Sequence, residues 1–261
     1  WLEELFDPWD GPLSTRFAAT FVLVAGVGVT LLTRRTVDDP TRITEMRWRL
    51  TRRGVLLYVV GLLLDEIWPG TIIVYYGAMF VLVAAIFTWR TRWVITIGAV
   101  AAIAATSIRL WEFDRNRNGH STDWLSRPGD VLVNGTHPLL PWFAFLCAGI
   151  VLGRALTTTW WRPAAIGSGI VLAAMSSMVA SLPVTGIPAI ALSIDSYDRS
   201  VVHVASALGT ALVSYATIDW IAERFRSATD PLRRAGQLTL SLYLAHILVF
   251  NLVVDWLGWV E

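Results

Sequence analysis

The sequence contains no lysine, and all 21 of its basic residues are arginine. It has a single cysteine, Cys147, which excludes a disulfide bond within the chain. Charged residues make up only 16% of the 261 positions, whereas a soluble domain carries roughly 25%. Hydrophobic residues make up 55%, and the mean hydropathy is +0.56. This composition excludes an ordinary soluble domain, and the use of arginine alone is typical of a GC-rich, actinobacteria-like genome.

Long apolar runs predict an all-α fold, a polytopic transmembrane helix bundle. Backbone polar groups in lipid must bond to one another, and these runs are continuous rather than alternating, which favours helices over a barrel. A span needs about 20 residues. About eight runs fit, and they are 16–33, 53–68, 71–89, 93–110, 138–153, 163–182, 200–222 and 235–257. We expect a single membrane domain over 1–261 that lacks one or more N-terminal spans.

The arginines predict how the bundle is oriented. Fifteen of them fall in the segments 34–53, 90–92, 154–162 and 224–234, and six fall elsewhere. Loops rich in arginine remain on the cytoplasmic side of a membrane. The sequence therefore predicts a multi-pass protein of the bacterial plasma (inner) membrane, with these segments in the cytoplasm and the 111–137 loop outside.

Two histidines lie in or at the edge of apolar runs, where a polar side chain requires an explanation. His137 precedes Pro138 where the outer loop re-enters the membrane, and a partly desolvated imidazole there can serve as a base. The alternative is an interfacial anchor at the start of a helix. In the last span, Ser241, Tyr243 and His246 form a polar set. They either face a cavity or provide hydrogen bonds between helices.

The outer loop resembles part of a calcium-binding loop. Asp114, Asn116 and Asn118 occupy its first, third and fifth positions, and glycine follows at the sixth. However, Leu125 stands where a bidentate glutamate is expected, and two arginines lie among the ligands. An ordinary polar turn is favoured over a calcium site, and we expect no other metal.

The order of these segments resembles bacterial proteins similar to heparan-α-glucosaminide N-acetyltransferase, within the wider group of transmembrane acyltransferases. The segments that carry the resemblance are 16–35, 52–61, 74–77, 137–154 and 241–246. It implies a membrane-embedded enzyme that moves an acyl group from cytoplasmic acyl-CoA, such as acetyl-CoA, to an acceptor outside. The family's first helix, and the histidine that follows it, have no counterpart in this chain.

No catalytic residue carries over from the family, but the chemistry of acyl transfer suggests roles for the residues above. His137 or His246 would act as the base, with Tyr243 and Ser241 as polar supports. The arginines that would contact the CoA phosphates are Arg34, Arg35, Arg52 and Arg53. The expected partners are the lipid bilayer, an envelope glycan or lipid acceptor, and a second copy or a larger membrane complex, but no nucleic acid. Two alternatives stay open: a lipid or glycolipid transporter or flippase, and a non-catalytic subunit of a cell-envelope complex.

Overall fold

The computed structural model describes residues 15–37, 39–65, 71–114, 131–132 and 137–251. Regular structure in this part of the chain is entirely helical, as the sequence predicts. The helices are α1 (Arg16–Thr33), α2 (Pro40–Asp65), α3 (Ile72–Ile86), α4 (Thr91–Asp114), α5 (Leu139–Ala155), α6 (Trp161–Ala180), α7 (Ile187–Leu192), α8 (Val201–Arg224), α9 (Arg226–Gln237) and α10 (Thr239–Asn251).

Four helices within the described residues are long and apolar enough to cross a membrane, namely α1, α4 over Thr91–Trp111, α6 and α8. They coincide with four of the predicted spans. The apolar helices α3, α5 and Thr239–Val249 of α10 are shorter than that requirement. The helix α2 is 26 residues long, but its first half is rich in arginine. The described part of the chain is thus all-helical, with four clear candidate membrane spans.

Glycine allows three pairs of helices to pack backbone against backbone. Gly26 of α1 lies against Gly149 of α5, and a Cβ atom on Gly26 would be 2.9 Å from the Gly149 Cα. Gly54 of α2 and Gly77 of α3 meet in the same way, as do Gly169 of α6 and Gly209 of α8. Lipid supplies no hydrophobic force between helices, so close packing of small residues is what holds such pairs together.

The helix α5 lies at the centre of the packing and contacts α1, α3, α4 and α8. Its side chains Trp142, Phe145, Leu146 and Ile150 are at most 5% exposed. Arg16 joins α1 to α8, because its guanidinium donates hydrogen bonds to the Ser206 and Thr210 hydroxyls, both at 3.1 Å. A half-buried guanidinium needs such acceptors, so this contact fixes the two helices in register.

Side-chain contacts also define the two ends of the bundle. His137, before α5, contacts Tyr75 in the first turn of α3, and Arg154 at the end of α5 reaches Phe87, just after α3. Arg154 also contacts Thr91 at the start of α4. Thus α3 and α5 run parallel and α4 runs against them. We call the two ends of this arrangement the His137 end and the Arg154 end.

Candidate functional site

His137 lies in an aromatic setting between α3 and α5. Pro138 follows it and caps α5 in an extended conformation, which suits a residue that has no N–H to donate. The imidazole centroid is 4.8 Å from the Trp142 ring, in an edge-on geometry, and 5.9 Å from the Tyr75 ring. The residue is half-buried. The rings therefore fix the imidazole and screen part of it from water.

Tyr243 and His246 lie one turn apart on α10 and contact each other, with ring centroids 5.2 Å apart. The Tyr243 hydroxyl accepts a hydrogen bond from the backbone N–H of Ile72 at 3.3 Å and lies 3.4 Å from the Thr71 hydroxyl. His246 itself is exposed. The pair therefore docks on the first turn of α3 through the phenol and leaves the imidazole accessible.

The first turns of α3 connect the two histidines. Thr71 caps this helix by accepting a hydrogen bond from the Ile73 N–H, and its hydroxyl also meets Tyr243. Tyr75, one turn further along, contacts His137. The structure thus places both candidate bases at the His137 end, each linked to α3 by a tyrosine. An arrangement of imidazoles and hydroxyls of this kind can accept a proton and donate hydrogen bonds to a developing negative charge.

Ser241 is not part of this connection. It is exposed on α10 and lies two residues before Tyr243, which turns the two side chains about 200° apart around the helix. The hydroxyl therefore points away from the face that carries the Tyr243 phenol. The sequence proposed Ser241 and Tyr243 as joint supports, and the structure brings only Tyr243 to α3.

The four arginines proposed for the CoA phosphates are exposed. Arg34 and Arg35 follow α1, whereas Arg52 and Arg53 lie midway along α2. The Arg53 guanidinium stands over the Phe80 ring of α3, 5.2 Å from its centroid. The first pair thus lies at the end of α1 and the second pair lies on α2.

The sequence did not indicate that hydroxyl groups at the start of α3 belong to the candidate site. Thr71 and Tyr75 gain their roles from α10 and from the start of α5, which are far away in sequence. The available signal was the pair Tyr75-Tyr76 inside an apolar run, because a phenol in such a run needs a polar neighbour.

Metal binding has no support among the described residues, where no group of three or more His, Cys, Asp or Glu side chains is placed to hold an ion. The residues of the proposed calcium site lie in a different part of the chain. Asn116 and Asn118, and the side chain of Asp114, lie outside the described residues. That hypothesis therefore stays a prediction from sequence.

Comparison with known proteins gives one finding. The sequence model of a family described as an acyltransferase domain matches residues 70–258. No curated protein and no solved structure gives a significant match to the chain. The matched region begins shortly before α3 and takes in α3, α5 and α10, which carry or adjoin both histidines and their tyrosines.

Proposed function

Because the chain belongs to this acyltransferase family, we propose that it moves an acetyl or other acyl group from cytoplasmic acyl-CoA to an acceptor outside the bacterial plasma membrane. We further propose that the acceptor is a sugar, a glycan or a lipid of the envelope. The observation that carries the proposal is the convergence of His137 and the Tyr243–His246 pair on α3, inside the region that matches the family.

The chemistry needs a base and a hydrogen-bond donor near one carbonyl carbon. An imidazole, His246 or His137, takes the proton from the acceptor's hydroxyl or amine as that group attacks the thioester carbonyl. The Tyr243 phenol accepts from the Ile72 N–H. With Thr71 as the donor in its contact with Tyr243, the phenol proton is available for the oxyanion that forms on the carbonyl oxygen. Collapse of this intermediate breaks the carbon–sulfur bond, and the protonated imidazole returns its proton to the departing CoA thiolate.

His246 suits the role of base better in one respect, because its ring is exposed whereas that of His137 is half-buried between two aromatic rings. An acceptor can therefore reach His246 without displacing protein. In this arrangement His137 would line the acceptor side of the site. Ser241, which faces away from Tyr243, would then contact the acceptor or the lipid rather than the oxyanion.

An acyl-CoA bound by the arginines must extend its thioester to the histidines at the His137 end. The Arg53 guanidinium marks the level of Phe80 on α3, which is about 12 Å along the helix axis from Ile72. With phosphates held by Arg52 and Arg53, the flexible arm of CoA would cover that distance along α3. Arg34 and Arg35 lie at the Arg154 end and would attract the donor by charge. This places the adenine part of CoA in the cytoplasm and the thioester toward the His137 end.

The direct test uses the purified protein in lipid nanodiscs. We expect calorimetry to detect binding of acetyl-CoA or of longer acyl-CoAs, and we expect release of free CoA that rises when deacylated envelope glycan is added. Heat-inactivated protein is the control for spontaneous thioester hydrolysis. If no acyl-CoA binds at millimolar concentration, the enzyme proposal yields to a transporter or to a scaffold subunit.

A further inference from the structure

An apolar crevice of about 610 Å³ lies between the α4–α5 and α6–α8 helix pairs. Small residues form its floor, among them Gly98, Ala102, Cys147 and Ala165, all of them buried. Its rim is exposed, with Ile95 and Ile103 on α4 facing Ala164 and Ser168 on α6. None of the described residues that line it is charged. Because α4 and α6 are candidate membrane spans, the open side of the crevice faces hydrocarbon.

The dimensions of the crevice restrict what can fill it. Its lining extends from Trp161 on α6 to Val201 on α8, on either side of the contact between Gly169 and Gly209. The helical rise makes that length about 24 Å, and the volume then leaves a mean width of roughly 5–6 Å, whereas a helix needs about 10–12 Å. This width matches one hydrocarbon chain and is about half of what a transmembrane helix needs, so a lipid chain is the occupant that fits best.

Positive charge gathers where the crevice reaches the Arg154 end. Arg92 lies one turn before Ile95, Arg154 precedes Ala155, and Arg162 follows Trp161. Asp219 and Glu223 neutralise Arg162, and Arg154 donates to the Phe87 carbonyl. Within the described part of the chain, no carboxylate lies in ion-pair range of Arg92. Positive charge that no described carboxylate neutralises therefore lies beside the Arg154 end of the apolar crevice.

We propose that this crevice binds one acyl chain of an anionic phospholipid, with the lipid phosphate beside Arg92 and Arg154. Trp160 stands at the same end and is 75% exposed, which is the position that tryptophan takes at the level of lipid headgroups. The lateral opening favours a ligand that arrives from the bilayer rather than from water. The proposal is independent of acyl transfer, because none of the side chains proposed for the reaction (His137, Tyr243 and His246) lines the crevice.

Native mass spectrometry of the purified chain tests the proposal. The protein would be incubated in detergent with equal amounts of palmitoyl-oleoyl phosphatidylglycerol and the matching phosphatidylcholine. We expect one retained phosphatidylglycerol per chain, favoured about fivefold or more over phosphatidylcholine, since one arginine near a lipid surface contributes about that factor. The substitution Arg92→Gln should lower the preference about fivefold, whereas Arg49→Gln, on a side chain that pairs with Glu45, should not.

A second pair of variants tests whether the lipid chain occupies the crevice. Ala164→Phe fills the rim of the crevice, and Ala174→Phe adds the same ring at an exposed position of α6 outside it. Only the first should abolish retention, with both variants folded by circular dichroism and gel filtration. Equal retention of the two lipids by the unaltered protein would overturn the proposal without any variant. So would retention by Ala164→Phe at the level of Ala174→Phe, or displacement of the phospholipid by equimolar palmitoyl-CoA, which would assign the crevice to an acyl donor.

Discussion

The two ends of the bundle carry different polar groups. Around the candidate site at the His137 end the groups are neutral rings and hydroxyls, with Tyr75 and Trp142 around His137 and Thr71 beside Tyr243. The Arg16 guanidinium also lies toward this end, but it is bonded to hydroxyls of α8. At the Arg154 end they are guanidinium groups that meet backbone carbonyls and carboxylates. Neutral hydroxyls and imidazoles lose less than charges do on leaving water. The difference separates a region suited to proton transfer from one suited to anchoring the protein and attracting anions.

The largest effect is expected in a test of whether the two ends face opposite sides of the membrane. In a Cys147→Ser background, cysteine would be placed at Thr185, after α6 at the His137 end, or at Thr41, at the start of α2. We expect the first to react with an impermeant maleimide in intact cells and the second only after lysis, because arginine-rich loops remain inside. Similar labelling of both in intact cells would refute the orientation.

The next largest effect separates the two histidines. Replacing the catalytic base with alanine should lower acyl transfer at least about a hundredfold. We expect this of His246→Ala with little change in unfolding temperature, since that ring is exposed, whereas His137→Ala should also lower the unfolding temperature.

The matched control for the histidine variants is Leu242→Ala, an exposed position of α10, which should change neither activity nor stability. If both histidine variants keep near-normal turnover, the two residues are structural and the base lies elsewhere.

A smaller effect concerns the link between α10 and α3. Tyr243→Phe removes the hydroxyl that meets Thr71 and the Ile72 N–H. We expect turnover to fall about tenfold, which corresponds to one hydrogen bond of about 1.4 kcal/mol. The control Tyr197→Phe removes a phenol from an exposed loop. Unchanged turnover in Tyr243→Phe would leave this tyrosine with a packing role only.

The smallest effect is expected at the arginines. Arg52→Gln or Arg53→Gln should raise the KM for acyl-CoA about two- to fivefold and leave kcat unchanged, because exposed charges are screened by solvent. Arg42→Gln, on a side chain that pairs with Asp39, serves as the control. Steady-state kinetics at low and at moderate salt check this, since the effect should shrink as salt rises. A fall in kcat at constant KM would contradict the assignment.

The individual helices were largely predictable from the sequence, because long apolar runs have few other solutions in lipid. The run 16–33 is α1, and the run 138–153 differs from α5 by two residues at most. The helix α2 begins at Pro40, well before the predicted start at 53. Hydropathy fails there since Arg, Glu, Met and Leu are good helix formers whether or not lipid surrounds them.

The candidate site was only half predictable. His137, Tyr243 and His246 stand out in sequence, because a polar group in an apolar run requires an explanation. Their common neighbour did not, since Thr71 and Tyr243 are 172 residues apart and no local spacing indicates that they meet. Ser241 shows how spacing along the sequence differs from position around a helix. It is near Tyr243 in sequence, but the helical turn separates the two side chains.

The glycine contacts between helices have a consequence for motion. Where Gly26 meets Gly149, Gly54 meets Gly77 and Gly169 meets Gly209, the backbones touch with no side chain between them that could change rotamer. Each pair can therefore slide very little without a collision of main chains. We expect the bundle to move as three stiff bodies, α1 with α5, α2 with α3, and α6 with α8. Any opening that admits a substrate would then occur at the seams between these bodies.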